Sequence, residues 1–176
     1  MVIRQDGGVR RSADRDDDAE FTACFARHAP AVRATAFLLC GDRHRAEDLT
    51  QSAFLKLYLA WHRVDDREHL SSYLRTLVVR GYISESRRLF WRRERSTDTP
   101  PEMPAPEVAG EDRIIAWQLV TGLPPRQRAV LVLRYWHDLD VRETAEALGC
   151  SPGTVKSQTA KALAALRTRI EEDSRA

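Results

Sequence analysis

From Ala19 onward, apolar residues recur at steps of three and four, the spacing that gathers them on one face of an α-helix. Phe21, Phe25, Val32, Ala36 and Leu39 predict a first helix over 19–40, bent at Pro30 and ended by Gly41. Asp42 is placed to cap a second helix over 43–63, in which Ala46, Leu49, Ala53, Leu57 and Ala60 form one stripe. Leu70, Leu74, Leu77, Val78 and Ile83 predict a third, from His69 to Arg93. No run of alternating β-branched residues suggests a strand. The helical pattern stops at STDTPPEMPAPEVAG, Ser96 to Gly110, where Pro100, Pro101, Pro104 and Pro106 cannot continue a helix and favour extended backbone.

Helical spacing resumes beyond that stretch. Helices are predicted over 112–123 and 126–136, with Pro125 suited to a first turn and HDLD, His137 to Asp140, as a turn. Asp140 can cap VRETAEAL, and Glu143 completes a capping-box pattern. Gly149 ends that helix, Ser151 caps the next, and Pro152 fits its first position. At about 100° per residue, Val155, Thr159, Leu163, Leu166 and Ile170 fall on one face, which must bury. Thr154, Ser157 and Lys161 lie opposite, flanked by Lys156 and Gln158. A short helix, a tight turn and a helix with small, polar and basic residues near its start form a helix-turn-helix able to enter a major groove.

The expected fold is therefore all-α: two small helical domains joined by a flexible Pro-rich linker. Residues 1–17 form a polar tail, 18–95 the first domain, 96–110 the linker and 111–172 the second domain. Composition adds one point. The net charge of +2 is small, but it hides an acidic segment at Asp14 to Glu20 and a basic one, RRLFWRRER, at Arg87 to Arg95. Tyr73, Tyr82, Phe90 and Trp91 interleave with arginines across Leu70 to Arg95, a composition suited to phosphates and unstacked bases.

Other classes find no support. Cys24, Cys40 and Cys150 are far apart and make no CxxC pair, so a zinc site or disulfide framework is not indicated. His28, His44, His62, His69 and His137 have no metal-ligand spacing and read as surface or capping residues. No phosphate-binding GxxxxGK loop and no HExxH is present. No apolar run approaches the ~20 residues that span a bilayer, and the first residues lack a signal-peptide core. The expectation is a cytoplasmic, non-enzymatic protein with no metal, no cofactor and no membrane contact.

LPPRQRAVLVLRYWHDLDVRETAEALGCSPGTVKSQTAKALAALR, Leu123 to Arg167, resembles region 4 of bacterial sigma factors of the extracytoplasmic-function group. AEDLTQSAFLKLYLAW, Ala46 to Trp61, resembles region 2.2, and YLRTLVVRGYISESRR, Tyr73 to Arg88, resembles regions 2.3 and 2.4, closest to the actinobacterial SigE-like branch. The resemblance covers about residues 21–169 in matching order. It implies that Asp48, Gln51, Phe54 and Lys56 bind the clamp helices of the largest subunit of core RNA polymerase. It implies that Tyr73, Arg80, Tyr82, Arg87, Arg88, Trp91 and Arg92 open and hold the minus-ten promoter element. Thr154, Lys156, Ser157, Gln158 and Lys161 would read the minus-thirty-five element. An anti-sigma factor that covers these surfaces is a further implied partner.

The sequence departs from the family pattern at three positions. Tyr73 stands where most of the group has Trp, Arg80 where the SigE-like branch has Asn, and Gln158 where many members have Arg. The competing reading is an autonomous helix-turn-helix repressor or activator. It requires a dimer interface and leaves the Arg-aromatic segment without a role.

Overall fold

In a computed structural model of the chain, residues 7–64, 67–93, 120 and 122–173 are described, with side chains from Asp17 and, at the end of the third helix, as far as Leu89. Helix α1 is Gly7–Cys40, α2 Arg43–Ala60, α3 Leu70–Arg93, α4 Pro125–Leu131, α5 Val141–Leu148 and α6 Pro152–Asp173. No strand occurs among the described residues. The predicted linker and most of the predicted helix over 112–123 lie outside them.

Local chemistry sets most of the boundaries. Gly41 takes φ +74 and closes α1, its N–H donating to the Phe37 carbonyl. Asp42 then caps α2, accepting from the Arg45 N–H at 2.7 Å. Asp140 and Glu143 make a reciprocal capping box at the start of α5, and its end is Gly149 at φ 64. Ser151 Oγ accepts from the Thr154 N–H at 3.1 Å, opening α6.

Three elements differ from expectation. α1 begins at Gly7, where a polar tail was expected, and continues past Pro30, which lies inside it. Extending an existing helix fixes one residue per added bond, so the Arg-, Ala- and Asp-bearing segment before Ala19 propagates from the packed part. After Leu131 the chain widens into a π turn, Val132–Trp136, with the His137 N–H on the Val132 carbonyl at 3.1 Å. In α6, Ala162, outside the predicted stripe, is fully buried, while Ile170, within it, is half exposed.

α1, α2 and α3 form a three-helix unit around Leu39, Leu57, Leu74 and Val78, all inaccessible to solvent. α4, α5 and α6 form the second, around Val130, Ala145, Val155 and Ala162. The two units pack on each other. Ala129, Val132, Leu133 and Ala147 of the second belong to the core of the first. The second unit thus lends one apolar edge to the core of the first and keeps buried clusters of its own around Val155 and Ala162.

Candidate nucleic-acid interface

Of the stripe expected to bury on α2, Ala46, Leu49, Ala53 and Leu57 are buried and Ala60 is half-buried. Phe54 joins them at 3% exposure and is not available to a partner. It follows Ala53 and precedes Leu57 by one turn, so it points inward, where Phe25 and Phe21 meet it edge-on at centroid distances of 4.6 and 6.4 Å. Asp48, Gln51 and Lys56 are exposed. Leu55 and Leu59, at 59% and 68%, were missed by sequence reasoning. With Asp48 and Gln51 they follow steps of three, four and four, an outward stripe legible in the sequence once Phe54 is moved inside. Glu47 sits beside it, held by Arg33 Nε at 2.6 Å, which lowers its carboxyl below the usual range.

On α3, Tyr73, Arg80 and Arg87 recur at seven-residue steps and share an exposed face with Arg88. Tyr82 does not join them. It is 2% exposed, packed in the first core and covered by Arg128, whose guanidinium carbon lies 5.9 Å from the ring centre. Burial raises its phenol above the ordinary range. The side chains of Trp91 and Arg92 lie outside the described residues. Among the acidic residues near the start of the described side chains, Asp17 and Glu20 pair with Arg67, and Asp18 accepts from the Tyr58 hydroxyl.

On α6, Lys156, Ser157 and Lys161 are exposed and Thr154 and Gln158 half-buried. Thr154 and Gln158 line a cleft whose other walls include Val130, Leu148 and Ile83 of α3. The short turn at Gly149 and Cys150, with the Cys150 N–H on the Ala145 carbonyl at 3.0 Å, fixes α5 against the start of α6. These two helices and their turn are a helix-turn-helix with polar and basic residues in its first exposed turns.

Three residues join the domains through contacts that the sequence did not foretell. Arg80 Nε donates to the Ala147 carbonyl at 2.9 Å and its Nη2 to the Glu146 carbonyl at 2.8 Å. Arg128 is 6% exposed and donates from Nη1 to the Leu39 carbonyl at 2.6 Å. His137, expected at the surface, is half-buried, with Nε2 3.0 Å from Thr35 Oγ1. Burial, and secondarily the charge of Arg75, lower its pKa to about 4. An arginine within the apolar run RAVLVL was the available signal for Arg128.

A helical first unit, a helix-turn-helix second unit and two arginine- or lysine-bearing exposed faces match one family throughout. Residues 24–94 match the family model for Sigma-70 region 2, and residues 113–166 the model for Sigma-70, region 4. The chain belongs to the sigma-70 family of RNA polymerase sigma factors. Its relatives lie in the extracytoplasmic-function group. It is 33% identical to the RNA polymerase sigma-E factor of Streptomyces coelicolor, over 86% of each chain. It is 32% identical to the ECF RNA polymerase sigma factor ShbA of Streptomyces griseus, over 93% of this chain and 94% of that one. The fold matches the sigma factor RpoE of Bartonella quintana, solved in complex with the anti-sigma factor NepR. The TM-score is 0.70 at 22% identity, over 86% of this chain and 97% of that one.

Proposed function

We infer that this chain is the promoter-specificity subunit of a bacterial RNA polymerase: it binds the core enzyme, directs it to promoters and helps open them, without catalysis of its own. The outward stripe of α2, with Asp48, Gln51, Leu55 and Leu59, docks on the clamp helices of the core enzyme, Lys56 lying at its edge. Apolar side chains exposed at 59% and 68% between polar ones suit a surface that is covered in an assembly. The face of α3 with Tyr73, Arg80, Arg87 and Arg88 meets the minus-ten element, where arginines neutralise phosphates and Tyr73 offers a ring to an unstacked base. Trp91 and Arg92 continue that role along the same helix. Thr154, Lys156, Ser157, Gln158 and Lys161 meet the minus-thirty-five element in the major groove.

One observation supports this reading above the others: a single chain pairs a helix-turn-helix with a second, arginine-bearing helix on a separate unit. An autonomous repressor or activator has no use for the second. The place of action is the cytoplasm, with the polymerase, and no helix among the described residues is long and apolar enough to cross a membrane. An anti-sigma factor that covers both units at once fits the same two-unit build. Run-off transcription with purified core polymerase tests the assignment. Addition of the chain is expected to give transcripts that start at discrete promoters. Specific duplex binding without any promoter-dependent start would favour the autonomous regulator.

A further inference from the structure

The outward face of α2 carries two large apolar side chains one turn apart, Leu55 and Leu59, both largely exposed. One exposed leucine is ordinary, but a stripe of them on one helix face is apolar surface that a partner covers. What flanks Leu55 along the stripe identifies that partner. Gln51 lies four residues before Leu55, and Leu59 four after it. Asp48 lies seven before it and His62 seven after it, with Arg63 next in the chain. All of these are exposed. At about 1.5 Å per residue, the acidic and the basic end stand about 10 Å from Leu55, on opposite sides of it. Neither Asp48 nor Arg63 makes an ion pair among the described residues; the Arg63 Nε donates to His62 Nε2 beside it at 3.2 Å.

We propose that this stripe pairs antiparallel with the same stripe of a second copy of the chain, forming a dimer that core polymerase takes apart. The proposal rests in part on the docking of that stripe on core enzyme inferred above. A twofold contact needs a patch that is its own complement. With the axis at Leu55 and the two helices antiparallel, Leu55 meets its own copy, and each Leu59 lies level with Gln51 of the second copy. Each Asp48 lies level with His62 and Arg63 of the second copy. The apolar centre leaves water, and an acid faces a base at both ends. Parallel pairing would set Asp48 beside Asp48 and Arg63 beside Arg63, which like charges oppose. The arrangement of charge therefore selects the direction as well as the partner. One helix pair is a small interface, of the kind that forms and parts with concentration. Dimer and polymerase complex use the same residues, so core enzyme draws its chain from the monomer. By mass action, doubling the amount of chain then raises the monomer open to core enzyme less than twofold.

Sedimentation equilibrium of the full chain should show the mass rising from one chain toward two as concentration increases. Leu55→Asp sets a carboxylate on the axis against its own copy, through an exposed side chain, and should weaken pairing about tenfold or more. Asp48→Lys and Arg63→Glu each bring like charges level with one another and should weaken it about fivefold. Combined, they exchange the two ends and should restore pairing to within about twofold of the wild type. Leu55→Cys should give a disulfide-linked dimer under mild oxidation, while Ser71→Cys, exposed at the start of α3, should not. A single-chain mass at every concentration overturns the proposal. So does a dimer that Leu55→Asp leaves intact, or a charge exchange that restores nothing. None of these measurements needs polymerase. Core enzyme added to the dimer should give complexes that hold one chain each, and complexes that hold two would overturn the competition. A chain that pairs but never binds core enzyme would instead strike the functional assignment, and the pairing itself would stand.

Discussion

Gln158 sits at the first exposed turns of α6, beside Lys156 and Ser157, and is half-buried. A glutamine amide offers one donor and one acceptor and pairs with the N6 and N7 edge of adenine. An arginine at the same place offers two donors and pairs with O6 and N7 of guanine. The departure from the family pattern is therefore expected to change the base preferred, not only the strength of contact. Binding-site selection on Gln158→Arg should replace adenine by guanine at one minus-thirty-five position, with a discrimination on the order of 1–3 kcal/mol. An identical consensus for the two proteins would show that Gln158 does not reach a base. Arg80 was also singled out as a departure, but its partners lie 66 and 67 residues away in the chain, so its contact with α5 could not be read from spacing. Phe54 and Tyr82 were placed outside because their family roles were carried over whole. The local pattern, each within a turn of buried neighbours, already placed them inside.

Helices follow the sequence where short-range chemistry decides and depart from it where packing does. Asp42, Asp140 with Glu143, and Ser151 are caps that the sequence predicts and the backbone uses. α2 depends on the first of these, because Gly41 breaks the chain just before it and the Asp42 carboxylate meets the Arg45 N–H at 2.7 Å. Asp42→Ala is expected to lower the unfolding free energy by about 1 kcal/mol, while Asp42→Asn, which still presents an acceptor, loses little. Urea denaturation of both variants checks the pair; equal losses would mean that the charge, rather than the cap, matters. The early start of α1 and the π turn after Leu131 were not legible. Propagation from a packed segment sets the one. The other has the i to i+5 bond between His137 and Val132 that turns the chain toward Thr35, a partner 102 residues away.

Two helical units were legible from periodicity, but the packing of one on the other was not, since it depends on buried contacts between distant segments. That closure also makes the molecule sensitive to acid. His137 meets the neutral hydroxyl of Thr35 from α1 and the positive charge of Arg75 from α3, and burial with that charge lowers its pKa from 6.5 to about 4. When the domains part, the imidazole regains water and its ordinary value. The closed form then binds the proton more weakly than the open form. Its stability is fully present above about pH 6.5 and is lost as the pH falls toward about 4, by up to tenfold per unit. Between pH 7.5 and 5.5 the ratio of closed to open molecules should drop about tenfold. Energy transfer between fluorescent amino acids placed at Ser71 and Glu172, both exposed and one in each domain, follows it directly, in a range where most carboxylates stay ionised. His137→Asn keeps a polar side chain without a proton to gain, and should flatten the profile. A wild-type profile that stays flat over the same interval, or an Asn variant that keeps the wild-type slope, would remove His137 from the closure.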